Sequence, residues 1–301
     1  MDNCVFFCNT GKSKAKCITV IHNDPAINYN VLFREICAIR EFSTIEYFKR
    51  IYRIFAYPLR KYSLYQYLAN LFAKLLHRSD KICLLSNSYI SNFKKFCPKS
   101  SSFEKVFSIP NPLTYPIQKD ILNKEKIVLY VARMEMGQKR PDRMIKIWKR
   151  IYKKFPDWKL IVIGDGKHKK KVLQMSKGIG NISILNQTDP RAYYEKASIL
   201  CLTSNYEGWG MVLTEAMSFG VVPIAFNSFA ALDDLVADNI QKSVPFSIND
   251  FCKRLTAIME DSALRTKLKD RGFEIAKNFT IESIVDQWEN EFRLLQYKTN
   301  H

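Results

Sequence analysis

From about residue 121 onward, short runs of consecutive apolar residues alternate with stretches whose apolar positions recur every three or four. KIVLYVA (126–132), WKLIVIG (158–164), NISIL (181–185), ASILCLT (197–203) and VVPIAF (221–226) predict buried strands. Between the first two, PDRMIKIWKRIYKKF (141–155) opens on Pro141 and repeats Met144, Ile145, Ile147, Trp148, Ile151 and Phe155 near helical spacing. Helices are also predicted over about 189–196 and 211–219, and the stretch from Ile248 to Gln296 reads as helical, broken at Asp261-Ser262 and Thr280. Strands alternating with helices of this length predict βαβ units and a parallel sheet.

The earlier part is less regular. KCITVIH (16–22), DKICLLS (80–86) and KVFSIP (105–110) read as strands, separated by a long aromatic and basic helical region over about 31–79. The Pro-studded IPNPLTYPIQKD (109–120) reads as the hinge between halves. An α/β nucleotide-type domain opens with a strand and a glycine-rich turn. Nothing before residue 80 has that form, so the first domain is expected to be incomplete.

Composition narrows the class. With 47% hydrophobic and 25% charged residues over 301, a disordered or collagen-like chain is excluded. No apolar run approaches the roughly 18 residues of a spanning helix. The start, MDNCVFFCNTGKSK, lacks the order of a signal peptide, so a soluble or peripheral protein inside the cell is expected. The net charge of +18 suits an anionic partner, or equally a solvated lysine-rich surface. Over 42–79, seven Lys/Arg stand against one Glu, with Phe48, Tyr52, Phe55, Tyr57, Tyr62, Tyr65 and Tyr67 interleaved. Such a stretch fits docking on an anionic membrane surface, or helices whose aromatics pack the first domain.

Cys4, Cys8, Cys17, Cys37, Cys83, Cys97, Cys201 and Cys252 are scattered without a C-x-x-C pair, as reduced thiols are. His22, His77, His168 and His301 lie far apart, and no D-x-D occurs, so no metal site is expected.

The chemistry concentrates in SNYEGWGMVLTEAMSFGVVPIA (204–225). A strand ends, a glycine loop follows, and a helix begins near Met211, so free N–H groups and a positive helix end face the carboxyl edge of the sheet. Gly208 and Gly210 let a ligand approach the backbone closely. Glu207 and Glu215 are poor phosphate ligands but good acceptors for sugar and ribose hydroxyls. In VARMEMGQKRPD (131–142), Arg133 follows a strand and Lys139 precedes a Pro-started helix, a fork and a point charge suited to a diphosphate.

In this order, strand-end Arg133 and Lys139, the Gly164-Asp165-Gly166 turn, the hinge with Asn111 and EGWGMVLTEAMSFGVVPIA resemble the retaining glycosyltransferases of family four. The likeness covers roughly residues 80–296. It implies a GT-B fold of two Rossmann-like domains. The expected parts are a partial acceptor-side domain (1–115), a nucleotide-sugar-binding domain (116–280) and a final helix (281–301) packing back toward the first domain. It implies a metal-independent transferase moving a hexose from a nucleoside-diphosphate sugar, UDP-linked by default, to a glycan or lipid-linked saccharide in cell-surface polysaccharide synthesis. Arg133 and Lys139 would bind diphosphate. Glu207 would hold the transferred sugar as a catalytic group, Gly208, Gly210, Met211 and Val212 would touch phosphate and sugar, and Glu215 the ribose. His22, just past a strand, matches a histidine near the anomeric carbon, and Ser86 matches a cleft-facing serine. The alternative is a nucleotide-sugar-binding remnant, impaired in catalysis by its short first domain.

Two other classes lack their motifs. No reading helix or stacking platform supports nucleic-acid binding, and the G-D-G turn at 164 lacks the rest of a G-x-G-x-x-G nicotinamide fingerprint.

Overall fold

The apolar runs from residue 126 onward all become strands of one sheet. The computed structural model describes residues 16–37, 44–119, 123–236 and 238–297, so Cys4, Cys8 and His301 lie outside the described residues. The chain divides into one unit comprising 1–110 and 293–301 and a second comprising 111–292. The division falls after Pro110, not 115, because Leu113 N–H donates to Phe279 O and Gln118 N–H to Ser218 O, tying the Pro-rich segment into the second unit. The return to the first unit begins at Arg293, well inside the last helix.

In the second unit the elements are β4 (Ile127–Val131), α5 (Pro141–Ile151), β5 (Lys159–Ile163), α6 (Lys169–Ser176), β6 (Ile182–Leu185), α7 (Arg191–Lys196), β7 (Ile199–Leu202) and α8 (Met211–Ser218). They continue with β8 (Val222–Phe226), α9 (Leu232–Leu235), β9 (Lys242–Ser243), α10 (Ile248–Glu260), α11 (Ser262–Lys277) and α12 (Ile281–Tyr297). All strand pairs are parallel, in the order β6-β5-β4-β7-β8-β9. Counted from β4, that is the doubly wound order 3-2-1-4-5-6, which reverses direction between β4 and β7. Val128, Tyr130, Leu160 and Val162 pack with Met144, Ile147, Trp148 and Ile151 of α5, so the predicted helical stripe covers one sheet face. α6, α9 and β9 are additions to the sequence reading.

The first unit holds a three-stranded parallel sheet, β1 (Ile18–Ile21), β2 (Lys81–Leu84) and β3 (Val106–Ser108), with β2 in the centre. Its helices are α1 (Ile27–Cys37), α2 (Thr44–Phe55), α3 (Tyr57–Arg78) and α4 (Asn87–Lys94). Leu68, Phe72, Leu75 and Leu76 form the buried face of α3, and Phe72 meets Phe93 at 4.7 Å between ring centroids. The aromatics of 42–79 divide between the two expectations. Phe72 is core and Tyr57 half-buried, whereas Phe48, Tyr52, Phe55, Tyr62 and Tyr67 are exposed.

Cys97, Cys201 and Cys252 are free thiols. Among the described residues no helix is long and apolar enough to cross a membrane.

Candidate active site

The strand order reverses between β4 and β7, and the carboxyl ends of the strands at such a reversal are the usual ligand position of an open α/β sheet. The loops leaving those ends are residues 132–140 and 203–210. They are bonded to each other at several points. Asn205 N–H donates to Gln138 O at 2.7 Å, Asn205 Nδ2 to Gly137 O at 2.5 Å, and Gln138 Nε2 to Tyr206 O at 3.3 Å. Thr203 Oγ1 donates to Arg140 O at 2.9 Å, and buried Arg143 returns a bond to Thr203 O at 3.2 Å.

Two side chains set the shape of the first loop. The Glu135 carboxylate accepts Gly137 N–H at 2.5 Å and Gln138 N–H at 2.6 Å. Burial works to raise this carboxyl, but those two bonds and the charges of Lys167 and His168 hold it below the usual range. Tyr130, fully buried, donates its hydroxyl to Lys139 O at 2.7 Å, and burial pushes its phenol well above the ordinary value. The backbone carrying Lys139 is therefore fixed from below.

Lys139 and Glu207 meet directly. Lys139 Nζ lies 2.8 Å from both carboxylate oxygens of Glu207, whose side chain is only 6% exposed against 20% for the lysine. Ser204 Oγ donates to Glu207 Oε1 at 2.6 Å. A pair this enclosed is costly to break one-sidedly, because the remaining charge stays desolvated. Three residues beyond Glu207, Gly210 caps α8 in the left-handed region at φ +89°. A Cβ there would make only ordinary contacts, 3.4 Å from Leu213 Cδ1 and Phe229 Cζ, so it is the left-handed backbone and not space that calls for glycine. The half-buried Met211 and Val212 follow as the first residues of α8, where backbone N–H groups have no intrahelical acceptor. Gly208 is half-buried in the same loop.

The other expected residues are placed differently. Arg133 is exposed in the first loop and reaches Gln138 Oε1 only at 3.4 Å. Glu215 is engaged elsewhere: Tyr194 donates to its Oε2 at 2.9 Å and Thr114 to its Oε1 at 2.8 Å. His22 is exposed at the carboxyl end of β1, in the first unit. Ser86 is 2% exposed and caps α4, its Oγ accepting Ser88 N–H at 3.0 Å, so it serves the helix and not a cleft. Thus Lys139 and Glu207 are joined, Arg133 shares their loop system, and Glu215 belongs to a neighbouring hydrogen-bond set.

Sequence reasoning passed over Ser204, Asn205, Gln138, Glu135 and Tyr130. Asn205 Oδ1 and Trp209 Nε1 are buried with no partner among the described residues, which leaves an acceptor and a donor unspent in the Glu207 loop. Among the described residues, His, Cys, Asp and Glu form no group of three or more that could hold a metal ion. At the opposite, amino-terminal edge of the sheet an open depression is lined by Lys126, Asp157, Lys159 and Lys196. Lys126 and Asp157 pair with each other there.

The architecture is that of the GT-B glycosyltransferases. It matches S. aureus TarM with a TM-score of 0.64 at 22% identity, covering 74% of this chain and 45% of TarM. It matches Anabaena HepE, solved with UDP and glucose, with a TM-score of 0.64 at 15% identity over 76% of this chain and 67% of HepE. Sucrose-phosphate synthase from Thermosynechococcus elongatus gives 0.69 at 17% identity, covering 96% of this chain and 70% of that one. Residues 114–275 match the family model described as glycosyl transferases group 1, and the chain belongs to that family. It is 29% identical over 216 residues to an uncharacterized glycosyltransferase of Haemophilus influenzae, covering 69% of this chain. It is 28% identical over 170 residues to the amylovoran biosynthesis glycosyltransferase AmsD of Erwinia amylovora, covering 55% of this chain. The chain spans 60% and 47% of the length of these two relatives.

Proposed function

We propose that the protein is a retaining, metal-independent glycosyltransferase of family four. It transfers a hexose from a nucleoside-diphosphate sugar, UDP-linked, to a glycan or lipid-linked saccharide for cell-surface polysaccharide. The observation that carries this reading is the enclosed Lys139–Glu207 pair at the reversal point of the sheet, next to the amino end of α8. The relatives support it. HepE is solved with UDP and glucose, TarM with UDP and alpha-GlcNAc-glycerol, and relatives are named for amylovoran biosynthesis and for poly(ribitol-phosphate) alpha-N-acetylglucosaminyl transfer.

In this reading the donor diphosphate takes over Lys139 from Glu207, Arg133 adds its guanidinium fork, and the amides of Met211 and Val212 complete the grip. Glu207, released, accepts a hydroxyl of the sugar, and Glu215 accepts from the ribose. The bond from the anomeric carbon to the β-phosphate oxygen breaks, its electron pair leaving with the diphosphate. The acceptor oxygen bonds to the same face of that carbon and its proton passes to the departing phosphate. The absence of a D-x-D pair in the sequence supports metal independence. His22 keeps the catalytic role the resemblance implies. Free thiols at buried Cys97 and Cys201 support work in the reducing cytoplasm.

Calorimetric titration with UDP and GDP, followed by donor turnover with and without EDTA, tests the reading. UDP binding is expected, with turnover insensitive to EDTA and lowered roughly a hundredfold or more by Lys139→Ala, as for loss of a preorganised oxyanion donor. Failure of both nucleotides to bind, or unchanged binding and turnover in Lys139→Ala, would overturn it. Binding without any turnover would favour the second reading, a nucleotide-sugar-binding remnant.

A further inference from the structure

One face of the first unit carries a row of exposed apolar side chains. Helices α2 and α3 run into one another: Ala56 at the junction is right-handed helical (φ −76°, ψ −6°). Its N–H donates to Tyr52 O at 2.9 Å, and Arg60 N–H donates to Ala56 O at 3.0 Å. Along this pair Ile45, Phe48, Tyr52, Phe55, Leu59 and Tyr62 recur at alternating steps of three and four, so they share a stripe. Each of the six is between 65% and 81% exposed. Single exposed apolar residues are ordinary, but six in register mark an interaction surface.

A basic flank accompanies the stripe. At about 100° per residue, Lys49, Arg53 and Arg60 fall within about 40° of one another, to one side of the apolar positions. Over 44–62, Lys49, Arg50, Arg53, Arg60 and Lys61 stand against the single acidic residue Glu46. Lys61 is partly committed, its Nζ lying 4.9 Å from the Tyr29 ring centroid and 5.6 Å from that of Tyr57.

We propose that this stripe docks the chain on an anionic lipid bilayer, with its apolar side chains at the headgroup–acyl boundary and Lys49, Arg53 and Arg60 against lipid phosphates. Charge selects this occupant. A second copy would bring two strongly cationic surfaces together, whereas acidic lipid turns the same charges into attraction. The side-chain types agree. Tyr47, Tyr52, Tyr62 and Tyr67 expose rings with an apolar body and a polar tip, the combination that settles at headgroup level. Docking needs no nucleotide, so it stands apart from the transferase reading.

Co-sedimentation of the full chain with phosphatidylcholine vesicles, and with vesicles mixing phosphatidylcholine and phosphatidylglycerol, tests it. The chain is expected to partition onto the mixed vesicles and to be released by salt. K49Q/R53Q/R60Q should lower that partitioning by on the order of a hundredfold, about fivefold per charge removed. F48S/F55S, at two exposed positions, should lower it roughly tenfold or more. Both variants should keep the parent's circular dichroism melting curve and UDP titration, which separates a lost surface from a lost fold. Equal partitioning onto both vesicle types, no sedimentation, or an undiminished F48S/F55S variant would overturn the proposal. So would a concentration-dependent dimer that F48S/F55S dissolves, which would assign the stripe to a second copy. Vesicle binding without UDP binding would instead sink only the proposed function.

Discussion

Ser204 Oγ donates to Glu207 Oε1 at 2.6 Å, and that same oxygen lies 2.8 Å from Lys139 Nζ. The carboxylate is thus oriented by its own loop, and the lysine is held against it. This arrangement separates what the pair does for the fold from what it does for binding.

Removing one member should be costly. Glu207→Ala leaves Lys139 largely enclosed without its counter-charge and is expected to lower stability by about 3–5 kcal/mol. K139M/E207Q, which removes both charges, should recover most of that loss in urea unfolding while UDP affinity stays depressed. Recovery of both would mean the pair serves the fold alone.

Gly164 follows β5 at a point of close contact. A Cβ there would lie 2.0 Å from Ala132 O, a backbone atom that cannot turn aside. Gly164→Ala is expected to destabilise by more than about 3 kcal/mol through displacement of the loop carrying Arg133 and Lys139. Thermal unfolding and UDP titration of the same sample should decline together.

Acid stability offers a third test. Asp142, at the start of α5 and 5% exposed, receives Arg140 Nε and Nη2 at 2.8 Å each. Burial works to raise its carboxyl, but the paired bond and the charges of Arg140, Lys146 and Arg143 hold it below the ordinary value. A carboxyl depressed in the folded state adds stability that is complete above its unfolded value, about 3.9, and is lost as pH falls through the folded value. Asp142→Asn should therefore cost about 1–3 kcal/mol at pH 7. The gap from the parent should narrow as urea midpoints are measured below about pH 4.

Tyr194→Phe removes one of the two donors to Glu215. A loss of about 1 kcal/mol is expected, with UDP affinity reduced several-fold if Glu215 must be aimed at the ribose. Unchanged affinity at reduced stability would confine Glu215 to packing.

The strands of the second unit were legible because β4, β5, β7 and β8 are covered on both faces, which forces continuous apolar runs. The meeting of Lys139 and Glu207 was legible because both follow strand ends at the same edge of a doubly wound sheet. Their partners were not. Ser204, Asn205 and Gln138 are ordinary polar residues, given meaning only by bonds such as Asn205 to Gln138 across 67 positions (205 − 138). α6 escaped notice because its opening Lys169-Lys170-Lys171 hides the short apolar face of Val172. Periodicity also left the surface stripe undecided. Ile45 to Tyr62 and Leu68 to Leu76 carry similar helical spacing, yet one set is open and the other buried. Spacing says which residues share a side, and only tertiary structure says whether that side is covered.

Connectivity has a consequence for folding. The second unit is one uninterrupted span, 111–292, while the first joins residues up to 110 with residues from Arg293 onward. Joining those two pieces closes a loop through the whole of the second unit, an entropic cost that the second unit does not carry.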